Sequence, residues 1–349
     1  MAVRYIDGFD DYATADITAG NWNQKTAAPA ITTGGRNGGN CMTSSSGSNV
    51  IKAFPDTQQT WIIGGAFKFT TGNVTNYNFI HLGEVAGAQI GIGCDVSGYL
   101  TINRSAAVAF PMAGSFTNLG TYASPISFGT WYYIEFKVTI SNDIAAGSCI
   151  LRVNGVDVIT LAIHSDTQYT ANSYASMVAI GSAGGAGPVF ICDDVYILDN
   201  TGSTNNDFLG DVRVDSLLPT GNGATSNQWT ASTGTNASCV DEVAPNSTDY
   251  VSDTTAGHID TYAMGNLATT ANTIFAVQTG LVTIKTDAGN RTIAPVIVNA
   301  DGTKVGTTVP VYDSYFNNTQ VYEQNPLNTP AAWTEATVNG IEFGAKLIA

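Results

Sequence analysis

An all-β fold is what this sequence predicts, and three observations predict it. Only 12% of the 349 residues are charged, about half the usual share, and long exposed helices need charged residues on their wet face. Apolar residues recur with a period of two in short runs, separated at intervals of about ten residues by turns rich in Gly, Asn, Asp and Ser, the spacing of a sandwich or barrel. Helix signals are nearly confined to Thr334, an N-cap for a single helical turn over 334–339.

Taken in order, Tyr5 to Tyr12 opens the chain as a short strand ending in a turn at Gly8. Thr14 to Asn49 follows, mostly small and polar, with Gly34-Gly35 and Gly38-Gly39 around Arg36. Trp61 to Phe69 is a strand with Phe67 and Phe69 on one face, followed by strands at Asn78–Leu82, Gln89–Asp95 and Tyr99–Asn103. Thr130–Ile140 and Ser148–Val153 come next. Asn154-Gly155 is a two-residue hairpin turn into Val156–Leu161, because both central residues of such a turn need positive φ. Ser176–Gly181 and Val189–Leu198 complete the first set.

The stretch Cys192 to Val214 divides the chain. Cys192, Val195 and Ile197 form one strand, Val212 and Val214 are expected to form another, and the polar run between them has too little apolar surface to enter a core. The expected organisation is a jelly-roll sandwich over 1–199, a connector over 200–209 and a smaller β-sandwich over 210–349. In the second part Ile274–Lys285 is one strand or two broken at Gly280, Arg291–Asn299 returns, Lys304–Tyr312 follows a turn at Asp301-Gly302, and Ile341–Leu347 closes.

The net charge of −15 and pI near 4.3 disfavour a nucleic-acid partner. No window approaches the roughly 18 apolar residues of a membrane span. Met1 to Asp7 lacks the apolar stretch of a secretory signal. Five scattered cysteines, Cys41, Cys94, Cys149, Cys192 and Cys239, fit neither a disulfide framework nor a zinc site; buried thiols of a protein made in a reducing cytoplasm are the expectation.

Several pieces resemble a family of tailed-phage virion proteins, in which a laminin-G/concanavalin-like jelly roll precedes a second β-domain. They are YIDGFDDYATA (5–15), GGRNGGN (34–40), GTWYYIEFKVTI (129–140), LRVNGVDVITL (151–161), DDVYILDNTGSTNNDFLGDVRV (193–214), GNRTIAPVIV (289–298) and AAWTEATVNGIEFGAKL (331–347). The resemblance spans nearly the whole chain in order. It implies a structural component of the virion (tail, fibre or capsid surface) that contacts other virion proteins and forms a homo-oligomer, with a trimer as the habit of such proteins.

No catalytic residue is expected. His81, His164 and His258 lie outside any nucleophile elbow or recognisable triad. Asp10-Asp11, Asp193-Asp194 and Glu135 are the carboxylates a glycosidase would draw on, but neighbours in a strand point to opposite faces, so Asp193 and Asp194 are not expected to aim at one sugar. A depolymerase is therefore disfavoured, and the solenoid repeats of such enzymes are missing. Asp7, Asp10, Asp193 and Asp199 are the candidates for Ca²⁺, which takes six to eight oxygen ligands; turn-forming aspartate is the alternative. The paired glycines around Arg36 lack the Lys-Ser/Thr of a phosphate loop. Trp61 and Trp131 are expected in the core, whereas Trp22 and Trp229, in polar loops, are the candidates for an interface or a ligand platform. Recognition of a host surface glycan is the competing function.

Overall fold

The computed structural model describes residues 2–71, 77–112, 114–161, 165–184 and 187–349. The chain is all-β, and every pairing between its strands is antiparallel. It divides into two compact units: Met1–Phe9 with Trp22–Val214, and Asp10–Asn21 with Asp215–Ala349. No helix among the described residues is long and apolar enough to cross a membrane.

The first unit holds β1 (Val3–Asp7), β2 (Gln24–Thr26), β3 (Ala30–Thr33), β4 (Asn40–Ser44), β5 (Asn49–Gln58), β6 (Thr60–Thr71), β7 (Asn78–Glu84) and β8 (Gly87–Cys94). It continues with β9 (Leu100–Ser105), β10 (Phe116–Thr121), β11 (Trp131–Thr139), β12 (Ser148–Val153), β13 (Val156–Leu161), β14 (Ala175–Gly181) and β15 (Val189–Asp199). One sheet runs β13-β12-β11-β6-β15-β4-β3, with β1 also on β15; the other runs β10-β9-β8-β7-β14-β5-β2. Successive stretches alternate between the sheets, which is the jelly-roll sandwich expected. Asn154 (φ 50°) and Gly155 (φ 77°) both take positive φ and join β12 to β13, as the Asn-Gly pair demands.

Between the sheets, Phe67, Phe69, Phe79 and Phe190 form a cluster with ring centroids 4.9–6.3 Å apart, several of them edge to face. Phe67 and Phe69 share a face, as their spacing requires. Trp61 is fully buried, but Trp131 is half-buried, with the Lys68 ammonium 4.9 Å from its ring. The polar stretch 14–49 is structured because a few apolar residues reach a core: Ile17, Trp22, Cys41 and Met42 are fully buried.

The second unit holds β16 (Pro219–Asn227), β17 (Thr230–Ala231), β18 (Val251–Ser252), β19 (Ile259–Met264), β20 (Val277–Thr283), β21 (Arg291–Asn299), β22 (Gly302–Val305), β23 (Val309–Val311), β24 (Phe316–Tyr322), α1 (Glu335–Asn339) and β25 (Glu342–Leu347). A sheet of order β16-β19-β25-β21-β22, with β23 also on β21, faces the ribbon β20–β24 across a core of Ile297, Tyr322, Trp333, Val338 and Ile341. Thr334 caps α1 through its side chain, which accepts from Thr337 N. Gly280 does not break β20, whereas Lys304–Tyr312 is split into β22 and β23, because Gly306 N turns to donate to Pro295 O between them.

The boundary expected over 199–210 lies elsewhere. Residues 200–218 form no strand, so Val212 and Val214 do not open a second sheet, and residues up to Val214 belong to the first unit. The amides of Leu209, Gly210 and Val214 donate to side chains of that unit, which satisfies them without a strand partner.

Candidate functional site

Asp193 and Asp194 sit at an irregularity in β15, where pairing to β6 shifts register between Asp193 and Tyr196 and Asp194 takes φ 52°. Strand alternation fails at such a bulge, so both carboxylates turn to the β3–β4 loop, contrary to the expectation of opposite faces. Arg36 N donates to Asp193 Oδ2 (2.7 Å), Asn37 Nδ2 donates to Asp194 Oδ2 (3.2 Å), and the Arg36 guanidinium lies 3.7 Å from the same oxygen. Gly35 is required there: a Cβ would stand 2.3 Å from Asn40 O and 2.8 Å from Asp193 Oδ2. The paired glycines thus build a hairpin tip closed on two aspartates.

The same bulge anchors the connector. Val214 N donates to Asp194 Oδ1 (2.8 Å) and Arg36 pairs with Asp211. Upstream, Gly210 N donates to Glu135 Oε1 (2.8 Å), which also accepts from Tyr196 OH (2.5 Å), and Leu209 N donates to Tyr196 OH (3.3 Å). Phe208 lies under the Arg152 guanidinium at 4.0 Å, and Lys137 pairs with Asp207 at 3.0 Å. Burial and the neighbouring Glu135 carboxylate push the Tyr196 phenol well above its ordinary range, so it stays a hydrogen-bond donor. Gly64 leaves the space for that ring: a Cβ there would meet it at 2.3 Å. Glu135 therefore holds a strap of backbone, and its position on β11 gave no sequence signal for that task.

Two other expected site residues bind each other. Trp22 is fully buried, stacks on Phe9 at 6.4 Å, and donates from Nε1 to Asp7 Oδ2 at 2.8 Å. Asp7 also accepts from Tyr5 OH (3.0 Å) and, as an Asx turn, from Phe9 N (2.8 Å). Trp22 is core and not an exposed platform. Asp199, fully buried, takes Arg4 at 2.5 Å and Thr201 N at 2.7 Å. Asp10 lies in the second unit. The four calcium candidates form no common oxygen cage, and among the described residues no three His, Cys, Asp or Glu side chains gather as a metal centre would need. Trp229 is half-buried; its backbone N and O bond Asp260 and Asn236.

His81 is fully buried. Met112 N donates to its Nδ1 (3.1 Å), which leaves the proton on Nε2 to donate to Gly181 O (2.9 Å). Burial pulls its pKa down to about 4, so the ring is neutral near pH 7. His258 lies at the surface with Nδ1 2.7 Å from Asp253 Oδ2. His164 lies outside the described residues. All five cysteines are buried free thiols, and burial pushes Cys94 up to about 12, which leaves it inert as a nucleophile.

No sequence signal marks a cleft of about 420 Å³ in the second unit. Lys285, Asn290, Arg291, Thr292, Pro310, Val311, Tyr312 and Asp313 line it. Its floor is the β21–β23 pairing, with Arg291 opposite Val311 and Thr292 opposite Pro310. Lys285 N donates to Tyr312 O (2.8 Å) and ties one wall to the other. Arg291 is forked onto Asp287 (3.1 and 2.5 Å) and Lys285 Nζ donates to Gly289 O (2.8 Å). Tyr312, 44% exposed, rests edge to face on Phe316 at 5.2 Å. A lone tyrosine and arginine twenty-odd positions apart carry no spacing motif, so nothing in the sequence joins them.

No protein-family model matches the sequence, and no curated protein matches it. Solved structures with partial likeness include an endo-β-1,4-glucuronan lyase from the fungus Trichoderma reesei, with 12% identity and a TM-score of 0.42 over 56% of this chain and 95% of that one. Cip1, described as a cellulose-induced protein, shows 16% identity and a TM-score of 0.38 over 56% and 96%. The carbohydrate-binding module CBM66 from Bacillus subtilis shows 11% identity and a TM-score of 0.33 over 52% and 98%. Likeness of this degree assigns neither activity nor ligand to the chain.

Proposed function

We propose that this chain is a non-enzymatic structural component of a tailed-phage particle that works through protein–protein contacts at the particle surface. The carrying observation is an apolar tip on the first unit. Val85, in the β7–β8 turn, is 95% exposed and Val108 is 74% exposed. Val108 lies against the same turn: its Cα and Cγ1 stand within 3.4 Å of where a Cβ on Gly87, two residues after Val85, would be. Ala86 and Ala106 are exposed beside them. Covering these valines and alanines with another subunit would remove apolar surface from water. The family resemblance along nearly the whole chain supports the same reading, as does the use of buried acids. Asp7, Asp193, Asp194, Asp199 and Glu135 each hold a loop or the connector in place.

Size-exclusion chromatography with light scattering on the full chain tests this, together with immunogold labelling of particles. The expected result is a homo-oligomer and labelled particles. The Val85→Asp/Val108→Asp double variant should dissociate with folding stability changed by no more than about 0.5 kcal/mol, as for exposed sites away from special contacts. A monodisperse monomer that binds no particle protein would overturn the proposal.

A further inference from the structure

We propose that the cleft over the β21–β23 pairing in the second unit is a binding site for a short neutral saccharide. Its volume of about 420 Å³ falls in the range of small-molecule sites, about 300 to 1,000 Å³. Its chemistry separates three classes of ligand. A free anion such as phosphate needs cations that are not already neutralised. Here Arg291 is forked onto Asp287 and Asp313 stands in the wall, so two carboxylates offset the two cations, Arg291 and Lys285. The overall charge of −15 adds to the repulsion. A purely apolar ligand would leave Asn290, Thr292, Arg291 and Asp313 without partners on its side.

A sugar ring matches what remains. Its hydroxyls donate and accept at once, and the cleft offers both: the amide of Asn290, the guanidinium of Arg291, the hydroxyl of Thr292 and the carboxylate of Asp313. Its apolar C–H face needs a flat apolar surface, and Tyr312 supplies a half-exposed ring. Two features reduce the ordering cost of binding. The Tyr312 ring is propped edge-on by Phe316, and Arg291 reaches the cleft already oriented by Asp287.

The full chain is titrated by isothermal calorimetry with cellotriose, maltotriose and chitotriose, and with inorganic phosphate as the anion probe. At least one trisaccharide is expected to bind saturably. Tyr312→Ala should weaken that binding by about tenfold or more, the equivalent of ~1.4 kcal/mol. Tyr312→Phe should retain it and Asp313→Asn should weaken it. Because Tyr312 is on the surface, thermal unfolding of the alanine variant is expected to match the parent, which separates loss of the site from loss of the fold. The Val85→Asp/Val108→Asp variant, altered in the other unit, should bind as the parent does, so this site and the assembly tip fail or stand separately. Absence of saturable binding by all three sugars, unchanged binding by Tyr312→Ala, or displacement of the sugar by phosphate would each overturn the assignment.

Discussion

The two units solve the problem of a charge-poor chain differently. In the first, β7 and β8 are buried at every position and four phenylalanines lock the sheets together. In the second, β16 has no buried position and β20 has only Thr279, and the core cluster is small. Polar side chains hold its outer strand. Glu342 accepts from Ala224 N (2.9 Å), Thr225 N (3.1 Å) and Thr261 Oγ1 (2.8 Å), pinning β16, whose sequence PTGNGATSN has no apolar side chain larger than proline. Buried Asp260 gathers Tyr262 OH at 2.7 Å and Asn236 Nδ2 at 2.8 Å. Burial of large apolar groups tolerates few substitutions, whereas a network of individual hydrogen bonds loses stability in small increments.

The largest effect is expected from the aromatic core. Phe79→Ala should cost about 3–5 kcal/mol, since the ring leaves a cavity among Phe67, Phe69 and Phe190; the midpoint of urea unfolding measures it. A cost below about 1 kcal/mol would mean that the cluster does not hold the sandwich.

Acid sensitivity comes next and belongs to the same unit. His81 is neutral when folded, with its pKa lowered to about 4 from 6.5. The unfolded chain takes up the proton first, so stability present above pH 6.5 declines as pH falls toward 4, by about 1.4 kcal/mol per pH unit and about 3 kcal/mol in all. Unfolding measured across that window should show the slope in the parent and a shallower one in His81→Gln.

At the bulge, Asp194→Ala should cost about 2 kcal/mol. It removes the acceptor for Val214 N and Asn37 and places alanine at positive φ. Limited proteolysis should then cut within 200–214, and an unchanged digestion pattern would show that the strap does not depend on this carboxylate. Glu342→Gln is the smallest, about 1 kcal/mol, because one weaker acceptor remains for the β16 amides. Hydrogen exchange at Ala224 and Thr225 should rise while β7 stays protected.

Much of the fold was legible because its causes are local. A period of two, turn residues at short intervals and Asn154-Gly155 each act over a few residues, so they announce strands and a hairpin without knowledge of partners. Thr334 signalled α1 for the same reason. The candidate sites were less legible. Trp22 sits in a polar loop and is core because Asp7, fifteen positions earlier, accepts its indole proton. Asp193 and Asp194 looked divergent because alternation is the rule for strands, and only the shifted register with β6 shows that it is broken.

By itself, then, the sequence determined the all-β class, the hairpin, the single capped helix and the acidic character of the surface, since these follow from composition and near-neighbour chemistry. Tertiary structure decided which aspartates hold loops, where the first unit ends and that Tyr312 meets Arg291 in a cleft. These depend on contacts between residues far apart in the chain, where the energy of a buried hydrogen bond or a filled cavity outweighs local preference.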